Sequence, residues 1–151
     1  MNEPAPDVAL LTPVPLLHLQ SGLEVCRQEG RVAFGSESGL VLSEAVAEAR
    51  EGPLDVYIYA SFGAGGPPAI SWKARLLSYE GATAFLRGGG AKFRPLSTGD
   101  DGKWDAFYLV ENLVELPSNK RRLISSLKKR KGGNFAVTFV PHGPVLIENP
   151  S

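Results

Sequence analysis

The most regular alternation of apolar and polar positions in the chain lies between Asp55 and Tyr79, DVYIYASFGAGGPPAISWKARLLSY. Val56, Tyr57, Ile58 and Tyr59 are β-branched or aromatic, the types that suit a pleated, half-buried surface. Four in a row predict a strand covered on both faces, as in a barrel wall beneath a helix. Pro53 has no N–H to give a ladder, so the strand is expected to begin after it. Gly63, Gly65, Gly66, Pro67 and Pro68 then break any regular element. From Ile70 the period is two. Ile70, Trp72, Ala74 and Leu76 share one side, and Ser71, Lys73, Arg75 and Ser78 largely share the other. Leu77 interrupts the alternation, which predicts a bulge near Leu76 and Leu77. The two runs are expected to pair as a hairpin, with the apolar set on a core and Lys73 and Arg75 toward water or a ligand.

Around this hairpin the pattern is shorter-ranged. Residues 1–15 carry Pro4, Pro6, Pro13 and Pro15 and read as an irregular lead-in, with a single domain over 16–151. Leu16–Leu19 is a candidate first strand, and Arg31–Phe34 a second, ended by the Gly35-Ser36 turn signal. Ser43 is a candidate N-cap for a helix to about Arg50, with Glu44 in its first turn and Gly52-Pro53 stopping it. Gly81–Asp101 is glycine-rich and reads as a loop around short pieces at Phe85 or Phe93. Lys103–Leu116 reads as a strand with Trp104, Ala106, Tyr108 and Val110 on one side and Phe107 and Leu109 on the other. Ser118 or Asn119 then caps an expected helix whose inner face is Leu123, Ile124 and Leu127, closed by Gly132-Gly133. Asn134–Val140 alternates as a further strand, and Val145–Glu148 as a last edge strand. Many strands with few helices predict an α+β fold, a curled mixed sheet with helices outside.

Charge changes this picture in one place. The chain of 151 residues has no formal net charge, yet Lys120, Arg121, Arg122, Lys128, Lys129, Arg130 and Lys131 fall within twelve residues that contain no acid. The rest of the chain holds nine cations against sixteen acids, so the asymmetry informs more than the total. Cys26 is the single cysteine, which rules out an internal disulfide and points to a reducing, cytoplasmic setting. The acidic, proline-interrupted N-terminus does not read as a signal peptide, and no apolar run approaches the ~20 residues of a spanning helix. His18 and His142 are the only histidines, too few for a zinc cluster. The chain has no nucleophile elbow, no phosphate-cradling P-loop and no dinucleotide fingerprint. No metal, cofactor or catalytic residue is expected from the residues alone.

Taken in order, Ala33-Phe34-Gly35-Ser36, the helix near 43–50, VYIYAS, ISWKARLLSYE and GKWDAFYLVENLVELP resemble the PUA-like superfamily, in particular its YTH, EVE and ASCH branches. The resemblance spans roughly residues 16–140 and rests on order and pattern. It implies a half-open β-barrel of five to six mixed strands with two to three helices outside. It also implies a pocket for a base, expected to be modified, at the barrel mouth. Position by position, Phe34 falls where the YTH branch has its first cage tryptophan, and Gly35 and Ser36 where the base edge is touched. Tyr59 to Ser61 falls on the pocket-lining strand end, and Phe85 or Phe93 in the loop of the second cage aromatic. Trp104 is a candidate for the rim. No tryptophan stands in that loop and a phenylalanine replaces the first, so the implied pocket departs from a methylated-adenine cage.

Each residue also has a plainer reading. Phe34 is either a stacking surface for a base or the buried end of a strand. Trp72 reads as core, and Trp104 as rim or core. Lys73 and Arg75 are phosphate contacts or a solvated face. The basic segment is a phosphate or acidic-partner surface, or simply a soluble helix end favoured by the dipole. The expectation is therefore a nucleic-acid-binding module, for DNA or RNA. Phe34, Gly35, Ser36, Tyr59, Ser61, Phe93 and Trp104 would form the base pocket. Lys73, Arg75, Lys120, Arg121, Arg122, Lys128, Lys129 and Arg130 would meet phosphates. The alternatives are an ASCH-type amidohydrolase, with Lys73 as base beside Glu80, and a protein-interaction module whose basic helix meets an acidic partner.

Overall fold

A computed structural model of the chain describes residues 8–37, 39–48, 54–63, 66–99, 104–130 and 132–150. The expected helix stop at Gly52-Pro53, Pro4, Pro6, Arg50, residues 100–103 and Lys131 lie outside them. The described residues form an α+β half-open barrel: one curled mixed sheet of seven strands with three α-helices. The strands are β1 (Val8–Pro15), β2 (Val32–Ser36), β3 (Leu54–Ser61), β4 (Ala69–Gly81), β5 (Ala106–Glu115), β6 (Arg122–Leu123) and β7 (Val145–Glu148). The helices are α1 (Leu16–Glu29), α2 (Gly39–Glu48) and α3 (Ala82–Arg87). The sheet order is β2-β5-β4-β3-β1-β7, with β6 pairing β4. Among the described strands only β1 and β3 pair in parallel.

The hairpin stands at the centre as its pattern predicts. β3 and β4 pair antiparallel from Leu54 opposite Leu76 to Tyr59 opposite Ile70. Trp72, Ala74 and Leu76 enter the main core with Val56 and Ile58, but Ile70, expected on their side, enters a second core with Tyr57 on the opposite face, because the register shifts between the Ile58–Trp72 and Tyr59–Ile70 pairs. The expected bulge is present: Leu76 pairs Val110 and Ser78 pairs Leu109, leaving Leu77 unmatched against β5. A second irregularity on β5 holds Asn112 at φ +54°. Bulges add local twist, and the result is visible across the sheet. β1 and β5 are three strand spacings apart, about 14 Å in a flat sheet. Yet Thr12 Oγ1 and Tyr108 Oη lie 3.2 Å apart in the interior. The sheet therefore curls on itself.

Five expected elements are corrected. Val8–Pro15 is a strand of the sheet and not part of an irregular lead-in. Its prolines are tolerated because β7 pairs only residues 8–11 of β1, and Pro13 and Pro15 sit beyond that ladder. Leu16–Leu19 opens α1 and is not a strand. α2 begins at Gly39, so Ser43 is inside the helix and caps nothing. The largest correction concerns residues 118–131, which form no α-helix. A 3-10 turn (Ser118–Lys120), β6 and another 3-10 turn (Ile124–Ser126) follow one another, then Lys128 bridges Asn134. A helix there would stack cations with no acid to pair at i,i+4, and Ser126 Oγ instead donates to the Leu123 carbonyl at 2.6 Å. Nor is Asn134–Val140 a strand. A turn at Val137-Thr138 leaves Val137 exposed and folds Phe139 back on Phe135, with ring centroids 4.7 Å apart.

This irregular strap is the lid of the second core. Ile124, Leu127 and Phe135 bury against Ala9, Leu11, Tyr57, Ile70 and Ile147. α1 and α2 supply Leu19, Val25, Leu42 and Ala45 to the main core. A third, smaller core lies where α3 covers β2 and β5, with Phe85 stacked on Phe107 at 4.6 Å. Both sheet edges are occupied. The buried Arg94 guanidinium donates to the Ala33 carbonyl of β2 at 2.8 Å, and Glu148 N of β7 donates to the Lys128 carbonyl of the strap at 3.0 Å. Covering an edge in this way removes a template for strand addition.

Candidate functional site

Two clefts bear on the residues singled out in the sequence. The first lies where β1 runs into α1, beside β2. Phe34, Gly35 and Trp104 meet there with Pro13, Val14, Pro15, His18, Arg94 and Thr98 around a cavity of about 50 Å³. Alternation along β2 sends Phe34 into the main core, where it is 2% exposed and tilts against Tyr108 at 5.9 Å. Gly35 faces the other way, and the Trp104 indole lies directly across it. A Cβ built at Gly35 would sit 2.4 Å from Trp104 Cγ, so only glycine admits this contact. Trp104 thus joins the third core with Phe107 and Leu109, not the Tyr108 side that simple alternation of the strand predicts. Pockets for small organic ligands run from about 300 Å³ upward, and this cavity is several-fold smaller. Phe34 is a packing residue here and offers no face to a base.

The other expected pocket residues are not gathered at that cavity. Ser36 is buried, and its carbonyl accepts from Asp105 N at 3.1 Å. Tyr59 packs against the second core on the opposite face of the sheet. Ser61 is half-buried opposite Pro15. Phe93 sits at the third core between the Arg31 guanidinium, 4.9 Å from its centroid, and the Lys92 ammonium at 5.0 Å.

The second cleft lies on the far side, where the strap leaves β5 and rejoins β4. Leu116 N donates to the Ser71 carbonyl at 2.8 Å, and Ile124 N donates to the Pro68 carbonyl at 2.9 Å. These anchors pin both ends of the segment that carries Lys120 and Arg122 alongside the outer face of the hairpin. Tyr57, Ile70, Lys73, Leu116, Lys120, Arg122 and Pro150 line a groove of about 270 Å³. Three cations from β4, a 3-10 turn and β6 converge on it, and among the described residues no carboxylate lines it. Lys73 is held from behind. Its ammonium lies 5.4 Å from the Tyr57 ring centroid and 4.0 Å from Asp55 Oδ2. Asn149 ties these two together, its Nδ2 donating to Asp55 Oδ2 at 3.2 Å and its Oδ1 accepting from Tyr57 Oη at 3.3 Å.

Of the eight expected phosphate residues, the groove takes Lys73, Lys120 and Arg122. Arg121 is engaged elsewhere, donating to Glu115 Oε2 at 2.8 Å and to the Leu116 carbonyl at 2.9 Å. Arg75, Lys128 and Arg130 are exposed, and the Lys129 ammonium lies 5.7 Å from the Phe135 ring centroid. Lys73 and Glu80 do not make a catalytic pair. They are seven residues apart on one strand, about 23 Å at 3.3 Å per residue. Among the described residues no three His, Cys, Asp or Glu side chains gather as metal ligands, and no helix is long and apolar enough to cross a membrane.

Tyr57, Asp55 and Asn149 were not among the expected site residues. Register carries the signal for the first, since Tyr57 stands opposite Lys73 in the hairpin. Asn149 comes from a point 92 residues beyond Tyr57, and no local pattern marks it.

The chain matches no family model and no curated protein sequence. Among solved structures it is similar to a hypothetical protein from Leishmania major at 15% identity and a TM-score of 0.38, over 72% of this chain and 65% of that one.

Proposed function

We propose that this protein is a PUA-like nucleic-acid-binding module that grips phosphates in the groove between the central hairpin and the basic strap. The observation that carries the reading is the convergence of Lys73, Lys120 and Arg122, from three separate segments, on one groove with no lining acid among the described residues. A solvated cationic face would scatter its charges. Here Ile124, Leu127 and Phe135 of the strap are spent on the second core, and its cations are exposed. The backbone of Lys128 and Lys129 docks on β7 just upstream of Pro150, which lines the groove. The base is not enclosed in this reading. Phosphate contacts set register and most of the affinity, and they carry no sequence information by themselves.

The test is binding of a labelled single-stranded oligonucleotide followed by anisotropy across a salt series. Each phosphate neutralised contributes about 0.7 to the slope of log K against log salt for single strands. Replacing Lys73, Lys120 and Arg122 together by alanine is expected to flatten the slope by about 2. Binding with an unchanged slope in that triple variant, or no salt-dependent binding by the native chain, overturns the reading.

A further inference from the structure

We infer that the groove is selective for a phosphate monoester, the terminal phosphate of a strand or of a free nucleotide, over the internal diesters of a chain. The inference rests on the reading just given and adds the class of ligand. Charge is the first argument. Among the described residues three cations line the groove, and Asp55, 4.0 Å from the Lys73 ammonium, offsets one of them. The remainder, about +2, complements a terminal phosphate of about −1.5 to −2 at neutral pH, whereas an internal diester carries a single charge. Donor geometry is the second. A monoester presents three terminal oxygens, and the groove offers two ammonium groups and one guanidinium from three directions. A diester has two such oxygens and leaves one cation without its acceptor.

The Asp55–Asn149–Tyr57 chain supplies the third argument. A lysine on a flexible stem ordinarily loses side-chain entropy when it orders on a ligand. Here the Asp55 carboxylate and the Tyr57 ring already restrict the Lys73 ammonium, and Asn149 fixes both of them. Order of this kind favours one compact anion at a fixed point over a sliding backbone. The remaining wall, Tyr57, Ile70, Leu116 and Pro150, is apolar and is where the sugar of the terminal residue rests.

The experiment compares one internally labelled oligonucleotide carrying a 5′-phosphate, a 3′-phosphate or no terminal phosphate, with adenosine monophosphate and adenosine as competitors. A hydrogen-bonded charged contact of ordinary strength predicts that one phosphorylated end binds about tenfold tighter than the bare strand. The preferred end identifies the strand terminus, and competition by the monophosphate but not by adenosine extends the site to free nucleotides. In Arg122→Ala, an exposed position, the preference is expected to fall to about twofold or less, together with a loss of about 0.7 from the salt slope. Equal affinity for all three strands, with the salt dependence intact, overturns the inference and leaves the phosphate-binding reading standing. Absence of binding by any strand overturns both.

Discussion

The two clefts of the half-barrel are made from opposite materials, and the contrast decides what each does. At the β2 side the aromatic residues that suit base stacking, Phe34 and Trp104, are used for packing. One fills the main core and the other lies flat on Gly35, leaving about 50 Å³ between them. At the hairpin side the aromatic Tyr57 is also mostly buried, but it shares its cleft with Lys73 of β4 and with Lys120 and Arg122 of a strap that is not an α-helix. The lesson is that a ring near a cavity is weak grounds for a ligand when the sheet curls. Curling brings inner-face rings together and closes the space, as with Phe34 and Tyr108. Outside the curl there is no such closure, and charges stay accessible.

The largest expected effect lies at the packed cleft. Phe34→Ala removes a ring that is 2% exposed, and such truncations cost about 3–5 kcal/mol. Urea denaturation is expected to show that loss, while the folded fraction still binds an oligonucleotide with native affinity. A variant of native stability that loses binding would break the comparison, because Phe34 would then be a ligand surface. Next comes Leu127→Ala, at the strap's anchor in the second core, with an expected cost of about 2–5 kcal/mol. Because Lys120 and Arg122 ride on the same strap, hydrogen-exchange protection of residues 120–135 and oligonucleotide affinity are expected to fall together. Loss of stability with affinity intact would show that the groove does not depend on the strap's docking.

The sequence displayed the hairpin because its information is local: period-two alternation over a run long enough to name, with Leu77 marking its own bulge. It also displayed β7 and the two sides of β5. It hid β1, because Pro13 and Pro15 read as strand breakers and only the length of β7 shows that they lie past its ladder. It hid the strap for a different reason. Leu123, Ile124 and Leu127 have helical spacing, but pairing of Arg122 with Ile70 and of Lys128 with Asn134 overrides it. The groove was half legible. Its cations stood out by composition, whereas their partition into Lys73, Lys120 and Arg122 on one side and Arg121 on the other follows from tertiary contacts alone.

A third effect probes the curl on which the contrast rests. Burial pushes the Tyr108 hydroxyl up to about 12, partly offset by its hydrogen bond to Thr12 and the nearby Arg94 charge. The unfolded chain ionises that phenol near 10. The folded state therefore holds a proton that the unfolded state releases. The associated stability is fully present below pH 10 and is lost as pH rises from 10 through 12. Two units correspond to roughly 3 kcal/mol. Urea midpoints between pH 9 and 12 are expected to fall more steeply for the native chain than for Tyr108→Phe. Parallel slopes would mean that the phenol is not enclosed by the curled sheet.

The smallest effect is the sharpest discriminator, because it sets two adjacent arginines against each other. Arg121 is turned to Glu115 and the Leu116 carbonyl, whereas Arg122 lines the groove. Both are exposed, so either alanine variant is expected to keep stability within about 0.5 kcal/mol. If binding were a general response to the cationic strap, the two would weaken it equally. If the groove is the site, Arg122→Ala lowers the salt slope by about 0.7 and Arg121→Ala leaves it unchanged. The two variants differ by one position and share charge, exposure and segment. A difference between them can only come from where the folded strap points each side chain.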